Sequence, residues 1–553
     1  MKQRAPAAIF FTADDFHLAH KELKGRQAAG NFFLRGLLRH SAFNEISLAT
    51  FLSNPELEWK KSMGLDAMSR SVRWIHAGSL QDLSQIGCIY FSAPNFEHLA
   101  YMRLGASTRA YSICGITHTT ASCLNCFSAL PAMPVFSWDA LICTSRSVRD
   151  TIRTVLEDSA DYYAWRFGSG RTPLPQLPLI PIGILSDEYY TTPDEQAMAR
   201  KTLSLQADEI AVLFMGRLSF HGKANLAAMF MALEEVAKTT NRAISVILCG
   251  WFANKHQEEA FRSAAKILSP SLRLIMLDGR ETAQRKQAWA GADIFCSLSD
   301  NIQETFGLTP LEGMAAGLPV VVSDWDGYRD TVRHGIDGFR VRTITLPSPL
   351  GQDLASQYVS AAITYDYYIG YASQATAVDL TDCVKAFTLL IDSPELRKKM
   401  GQAGQRRAKE EFDWEFVIQQ YEELWGELAE RRRADAEPAA RYAPNHMPAF
   451  PDPFHAFGTY SSEQLSGERW IRLRVERPIE MLKVRSALGV FSIGKDCSLQ
   501  EPILGQILGA LELNGPTTVE ALAEKVPPEI RARLAWSIMW FAKMGLIEIS
   551  SEK

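Results

Sequence analysis

No apolar run in this 553-residue sequence reaches the roughly 18–20 residues that a membrane-spanning helix needs. Cysteine is scarce: nine thiols, Cys88, Cys114, Cys123, Cys126, Cys143, Cys249, Cys296, Cys383 and Cys497, an odd number scattered along the chain. Several lie in apolar runs. That pattern reads as reduced, buried thiols and predicts a cytoplasmic protein rather than a disulfide-stapled one. Cys123-x-x-Cys126 stands alone. No second pair and no His pair completes a zinc set, so no metal site is expected. An excess of one charge sign is also missing: 58 Lys and Arg face 63 Asp and Glu, a net charge of -5. This removes a whole-chain electrostatic case for nucleic-acid binding. The N-terminus imitates a signal peptide, with Lys2 and Arg4 before an apolar stretch. Asp14 and Asp15 cut that stretch short, and it reads as a first buried strand. No long internal repeat is present.

Composition is ordinary for a globular protein, 47% hydrophobic and 22% charged, and the length predicts about three or four domains. From 7 to 183, short apolar runs at 7–12, 45–50, 87–93, 111–115, 140–144 and 177–183 alternate with helical stretches such as 26–40 and 146–157. This βαβ rhythm predicts a parallel sheet covered on both faces. The rhythm restarts with buried strands at 211–215, 245–250, 272–277, 293–297 and 318–323 and helices between them. Two successive doubly wound units predict a ligand cleft between the carboxyl ends of their strands. A segment at 344–376, rich in Tyr, Ser and Gln, breaks the rhythm and reads as a surface insertion or an edge of the cleft. Helical, charged sequence fills 379–433. Five prolines in 434–456 mark a linker. Beyond it, an alternating strand at 471–475, helices at 503–513, 519–525 and 529–544 and a strand at 546–549 predict a small α+β winged-helix-like module.

Four segments carry chemistry. In Ser299-Asp-Asn-Ile-Gln-Glu-Thr-Phe-Gly-Leu-Thr-Pro-Leu-Glu312, Glu304 and Glu312 flank the start of a short helix. The amides near Gly307 and Leu308 would point outward there, and such a terminus attracts phosphate. Thr309-Pro-Leu-Glu312 equally fits a capping box, in which Glu312 only caps the helix. In Met215-Gly-Arg-Leu-Ser-Phe-His-Gly-Lys223, Arg217 and Lys223 form a candidate diphosphate clamp, Arg as a donor fork and Lys as a point charge. The alternative is two exposed bases in a turn. His118, in Gly115-Ile-Thr-His, follows a buried strand of the first unit and faces the cleft if the fold is right. Lys24-Gly-Arg-Gln-Ala-Ala-Gly30 puts glycine near a helix start, where backbone approaches a phosphate or sugar closely.

Together these segments resemble the glycosyltransferases of family 4, also described as group 1, which have the GT-B fold. The resemblance rests on Gly216-Arg217-Leu218, Lys223, Glu304, Phe306-Gly307, Glu312 and Met314–Val321. A tail adds Asp392-Ser-Pro-Glu-Leu-Arg397, Met400-Gly401 and Phe412-Asp-Trp414. It covers roughly 1–430 and is strong over 205–430. Lys223 lies six residues after Arg217 where many members use five, and His221 has no assigned role. The fold implied is α/β: a Rossmann-like acceptor-side domain over 1–185, a nucleotide-sugar-binding Rossmann-like domain over 186–395 and helices packing back toward the cleft over 396–433. A Pro-rich linker over 434–460 and the winged-helix-like domain over 461–553 follow.

The resemblance implies retaining transfer of a sugar from a UDP-, GDP- or ADP-linked donor to an acceptor it does not identify. The donor is a substrate, and no separate cofactor is implied. The residue matching Glu304 lies by the donor sugar and that matching Glu312 binds the ribose. Arg217 and Lys223 match the diphosphate ligands, and His118 matches a residue near the reacting face. Gly30, Gly216, Phe306, Gly307 and Leu308 complete the expected binding set. Asp324-Trp-Asp326 looks like the metal-binding D-x-D of a different glycosyltransferase fold, but it sits where a strand ends here, and metal-independent activity is expected.

Three other readings compete. A nucleotide-sugar epimerase would share the architecture but not the paired glutamates with their Arg and Lys. A non-catalytic GT-B scaffold, or a protein acting through its C-terminal module, would not need them either. The module balances 12 Lys and Arg against 12 Asp and Glu over 461–553, which argues for a protein partner and against nucleic acid. The stretch 21–40 joins basic residues to Phe32, Phe33, Leu34, Leu37 and Leu38. A helix there lies either on an anionic membrane surface or against the sheet.

Overall fold

In a computed structural model, residues 3–16, 25–64, 66, 70–170, 172–435 and 451–552 are described. The chain divides into two compact units, Met1–Asn445 and His446–Lys553. Among the described residues no helix is long and apolar enough to cross a membrane.

The first unit contains two six-stranded sheets, both wholly parallel. In the first, β1 (Ala8–Phe10), β2 (Glu45–Thr50), β3 (Ser71–His76), β4 (Cys88–Phe91), β5 (Ser112–Ile116) and β6 (Ala140–Ile142) run in the order β3-β2-β1-β4-β5-β6. In the second, β7 (Ile210–Met215), β8 (Ile244–Gly250), β9 (Arg273–Asp278), β10 (Ile294–Ser297), β11 (Val320–Ser323) and β12 (Gly338–Val341) run in the order β12-β11-β10-β7-β8-β9. Counted from its own first strand, each sheet has the doubly wound order 3-2-1-4-5-6. Each therefore has a switch point beside its first strand, β1/β4 in one and β7/β10 in the other. Every residue of β1, β4, β7, β8, β10 and β11 is buried, as expected of strands covered by helices on both faces.

The expected strand at 177–183 does not form a ladder. The chain there runs beside β6 but touches it only at isolated bridges, Ala140 with Gln176 and Cys143 with Leu179. Pro173, Pro175, Pro178 and Pro181 remove the amide donors a strand needs. Conversely, β3 and β12 were not anticipated. β3 is an edge strand with only Ile75 buried, so its apolar signal is weak. β12 is four residues that begin with a glycine.

The helix Gly25–His40 turns Phe33, Leu34, Leu37 and Leu38 into the core, each 2% exposed or less. These four apolar residues are therefore taken up by packing. The helix Pro394–Glu411 lies on the second half, where a Cβ at Gly404 would sit 3.1 Å from Met314. The helix Trp414–Ala434 returns to the first. There Tyr421 meets Phe33 at 5.1 Å between ring centroids and Tyr90 at 5.7 Å. Gly36 and Gly183 form a slot for the Trp414 ring, since a Cβ on either would lie 2.5–2.6 Å from it.

The 344–376 segment forms a helical hairpin on a two-stranded ribbon. Antiparallel strands β13 (Thr343–Thr345) and β14 (Thr376–Val378) enclose the helices Gln352–Val359 and Tyr365–Gln374. The second unit has a three-stranded antiparallel sheet of β15 (Trp470–Leu473), β16 (Thr517–Thr518) and β17 (Ile547–Ser550), ordered β16-β15-β17. Helices Glu501–Asn514 and Arg531–Lys543 pack Leu504, Leu508, Leu511, Leu534, Ile538 and Phe541 into its core. A further helix, Pro478–Ser486, was not anticipated. Most of the Pro-rich linker, 436–450, lies outside the described residues.

Candidate active site

The site is built on the loops that leave β7 and β10, the two strands at the switch point of the second sheet. After β7 the chain turns at Gly216, whose φ of +142° favours glycine. The following loop folds on itself. Arg217 donates from Nη2 to the carbonyl of Gly222 at 3.1 Å, and the Gly222 amide donates to Ser219 Oγ at 3.2 Å. The loop after β10 pins it from the other side. Gln303 Nε2 donates to the Gly222 carbonyl at 3.1 Å, Ser299 Oγ donates to the Lys223 carbonyl at 3.1 Å, and Asn301 Nδ2 donates to the His221 carbonyl.

This weaving brings Lys223 onto Glu304. Their side chains form an ion pair, with the Glu304 side chain 10% exposed. Glu304 also accepts from Tyr328 Oη at 3.3 Å, and Tyr328 Oη lies 2.8 Å from Ser297 Oγ. Burial pushes the Glu304 carboxyl up, but the Lys223 charge, with donors from Lys223, Thr305 and Tyr328, outweighs it and holds the group below its ordinary value. Glu304 is thus an anion kept ready beside a cation.

Glu312 occupies the next helix, Leu308–Ala315. The capping-box alternative does not form. The helix is entered through Gly307 at φ +83°, with no side chain capping the first turn, and Thr309 lies inside it. A Cβ at Gly307 would overlap the Tyr328 ring, so the left-handed entry and the support of Glu304 both require this glycine. Instead of reaching back to the helix start, Glu312 accepts from Tyr189 Oη at 2.8 Å. Its pKa is raised by burial, against the Tyr189 bond and the charges of Arg285 and Lys223. The uncapped first-turn amides and the exposed Arg217 guanidinium complete a surface suited to an anion.

The other half supplies His118. Its Nε2 lies 2.8 Å from the Ser92 carbonyl. A carbonyl only accepts, so in this contact Nε2 carries the proton. The His118 carbonyl in turn accepts from Thr305 Oγ1, next to Glu304. A second tie joins the halves nearby: Ser145 Oγ donates to Asp326 Oδ1 at 2.7 Å, and the Arg146 amide donates to Asp330 Oδ2 at 2.6 Å. Asp326 is therefore used for packing the halves together, while Asp324 lies 3.4 Å from Arg340 and 3.8 Å from Arg329.

Of the expected residues, Glu304, Lys223, Arg217, Gly216, Gly307, Leu308, Glu312 and His118 come together around this cleft. Two do not belong to its surface. Phe306 is 2% exposed and part of the apolar core. Gly30 lies within the Gly25–His40 helix rather than in a turn before it. A Cβ there would come 2.7 Å from the Asp15 carbonyl and 3.3 Å from Phe16, so the missing side chain admits a neighbouring turn, not a ligand. Residues 17–24, including Lys24, lie outside the described residues. Tyr189, Thr305 and Tyr328 were missed. Each acts through a partner 24 to 187 positions away, and no local pattern marks them.

Residues 195–343 match the sequence model of the family described as Glycosyl transferases group 1. An uncharacterized glycosyltransferase of Methanocaldococcus jannaschii is 22% identical over 46% of this chain and 59% of its own length. A D-inositol 3-phosphate glycosyltransferase of Nocardia farcinica is 29% identical over 30% of this chain and 36% of its own length. The chain thus spans between about a third and three fifths of these relatives. Among solved structures, HepE of Anabaena in complex with UDP and glucose is 14% identical with a TM-score of 0.47, covering 75% of this chain and 98% of that one. The matched segment 195–343 holds Arg217, Lys223, Glu304 and Glu312.

Proposed function

We propose that this chain is a glycosyltransferase of family 4 that moves a sugar from a UDP-, GDP- or ADP-linked donor to an acceptor, with retention of configuration and without a metal ion. The observation that carries the reading is the convergence of Arg217, Lys223, Glu304, Glu312 and an uncapped helix start at the β7/β10 switch point, with His118 of the other half joined to Thr305. The two relatives above are both named as glycosyltransferases, which supports the reaction class and leaves the acceptor open.

In this reading Arg217, Lys223 and the amides of Gly307 and Leu308 hold the donor diphosphate. Negative charge grows on that diphosphate as the glycosidic bond breaks, and fixed cations stabilise it most at that point. Glu312 takes the ribose hydroxyls. Glu304, already an anion, orients the donor sugar. No carboxylate reads as an obvious nucleophile, and the mechanism need not copy a double displacement through two close carboxylates. The leaving diphosphate accepts the acceptor's proton on the same face as the new bond forms, and closure of the halves excludes water. The second unit acts as a winged-helix-like contact module for a protein partner.

A thermal-shift screen against UDP, GDP, ADP and their sugars tests the site, because a ligand of the folded state raises the melting temperature by mass action. One nucleotide is expected to give a shift that Arg217→Ala and Glu312→Ala both lose. No shift with any of them favours the non-catalytic scaffold. Inverted product stereochemistry, or activity abolished by EDTA, refutes the retaining, metal-independent mechanism.

A further inference from the structure

The hairpin between β13 and β14 begins where the family match ends, at residue 343. One face of its second helix, Tyr365–Gln374, is docked on the two loops that build the site. Asp366, Gly370 and Ser373 recur at a spacing of four and three, which places them on one side of a helix. Asp366 Oδ2 lies 3.8 Å from His221 Nε2. A Cβ at Gly370 would lie 3.2 Å from His221 Cβ. Ser373, 1% exposed, faces the carboxyl of Asp300, itself 5% exposed. His221 belongs to the loop after β7 and Asp300 to the loop after β10. One residue away from this face, Tyr365 lies beside Ser122 of the first half, four positions beyond His118.

His221 is flanked by the proposed diphosphate ligands, Arg217 four residues before it and Lys223 two residues after. Its carbonyl is fixed by Asn301 and its ring meets Phe220 at 5.4 Å between centroids. The His221–Asp366 contact is long, and the Asp366 side chain is 74% exposed, so it contributes little.

We propose that the Tyr365–Gln374 helix braces the diphosphate-holding loop, with Gly370 and His221 as positioning residues for a nucleoside diphosphate donor. The inference rests on the donor reading above and extends it to a segment outside the family match. Gly370 has no left-handed φ, so a side chain there suits the helix better than glycine does. Gly370→Ala therefore sets helix propensity against the crowding and moves His221 by a few tenths of an ångström, while Gly370→Leu moves it further at a cost in stability from overpacking.

The test measures binding of UDP, GDP and ADP, and of uridine, guanosine and adenosine, by calorimetry on the full chain. The variants are Gly370→Ala, Gly370→Leu, His221→Ala and, as an exposed control, Tyr371→Ala, each with its unliganded melting temperature. The parent is expected to bind one nucleoside diphosphate. Gly370→Leu and His221→Ala should weaken it at least fivefold and Gly370→Ala by less. The matching nucleoside should bind every variant within twofold, and Tyr371→Ala should match the parent throughout. Diphosphate affinity within twofold of the parent in both Gly370→Leu and His221→Ala overturns the brace alone. Equal weakening of the nucleoside also overturns it, since the effect would not be on the diphosphate loop. A parent that binds no nucleoside diphosphate overturns the donor reading and the brace with it.

Discussion

Asp326 offers a pH experiment on the contact between the two halves. Its carboxyl accepts from Ser145 and sits where burial, with the charges of Glu304 and Asp330 adding to it, pushes its pKa from 3.8 to about 8. The Ser145 bond and the Arg329 charge act the other way without cancelling the effect. Between these two values the folded state keeps a proton that the unfolded chain has released. Stability tied to this group is therefore complete below about pH 4 and falls as pH rises, until the folded state also ionises near pH 8. The slope is about 1.4 kcal/mol per pH unit, so the loss at pH 7 is about 4 kcal/mol as an upper bound.

Asp326→Asn removes the titration while keeping an oxygen that accepts from Ser145. The variant should match the parent at pH 4 and exceed it by up to about 4 kcal/mol at pH 7. At about 2.1 cal/mol/K per residue, unfolding the Met1–Asn445 unit carries roughly 0.9 kcal/mol/K of entropy, so the gain is about 4 °C in Tm. Scanning calorimetry at pH 4.5, 6 and 7.5 measures it. A variant that melts with or below the parent at pH 7.5 refutes the reasoning. So does a variant that exceeds the parent equally at every pH.

Gly307→Ala should cost about 3 kcal/mol or more in stability, because it combines a left-handed φ with overlap of the Tyr328 ring; Tm reads it directly. Asp139→Asn should cost about 3–5 kcal/mol, because it leaves the guanidinium of Arg103 buried and uncompensated; both side chains are fully buried, 2.6 Å apart. Glu304→Gln should leave nucleotide binding measurable and reduce sugar transfer by about two orders of magnitude or more, a loss of the size seen when one preorganised polar group is removed from an active site; an activity assay with the donor identified by thermal shift decides it.

What could be read in advance follows the range of the interaction. Ten of the twelve parallel strands announce themselves as short apolar runs, because burial on both faces leaves no room for polar alternation. Ser71–His76 escaped because an edge strand with one buried residue has no such run, and 177–183 misled because its apolar residues alternate with prolines that cannot join a ladder. Glu304 and Lys223 were named through the family resemblance, their own loops leaving a plain reading of each open, and the structure pairs the two side chains. Tyr189, Thr305 and Tyr328 were not legible, since each meets its partner only after the chain has folded across a half or between halves. Phe306 misled for another reason. It neighbours functional residues in the sequence, but the turn at Gly307 sends its ring into the core.

The two halves are joined by chemically different means at different places, and the difference bears on how the cleft works. Helix Trp414–Ala434 ties them by burying Trp414, Tyr421 and Trp425, each 1% exposed or less, against residues such as Phe33 and Tyr90. Aromatic side chains buried to that extent contribute several kcal/mol between them, so this tie does not release while the unit stays folded. At the cleft the contacts are polar: Thr305 to His118, Ser145 to Asp326 and Arg146 to Asp330. Each such bond is worth about 0.5–1.5 kcal/mol net, because water replaces it when it opens. A polar mouth beside an apolar anchor can therefore open to admit a donor without loosening the core. The charges beside that mouth, Lys223, Arg217 and Glu304, all belong to the second half, where Lys223 and Glu304 compensate each other and Arg217 is exposed. On the proposed reading, an anionic donor would bring a further charge for Arg217 and Lys223 to meet, and closure and donor binding would then be coupled through those groups.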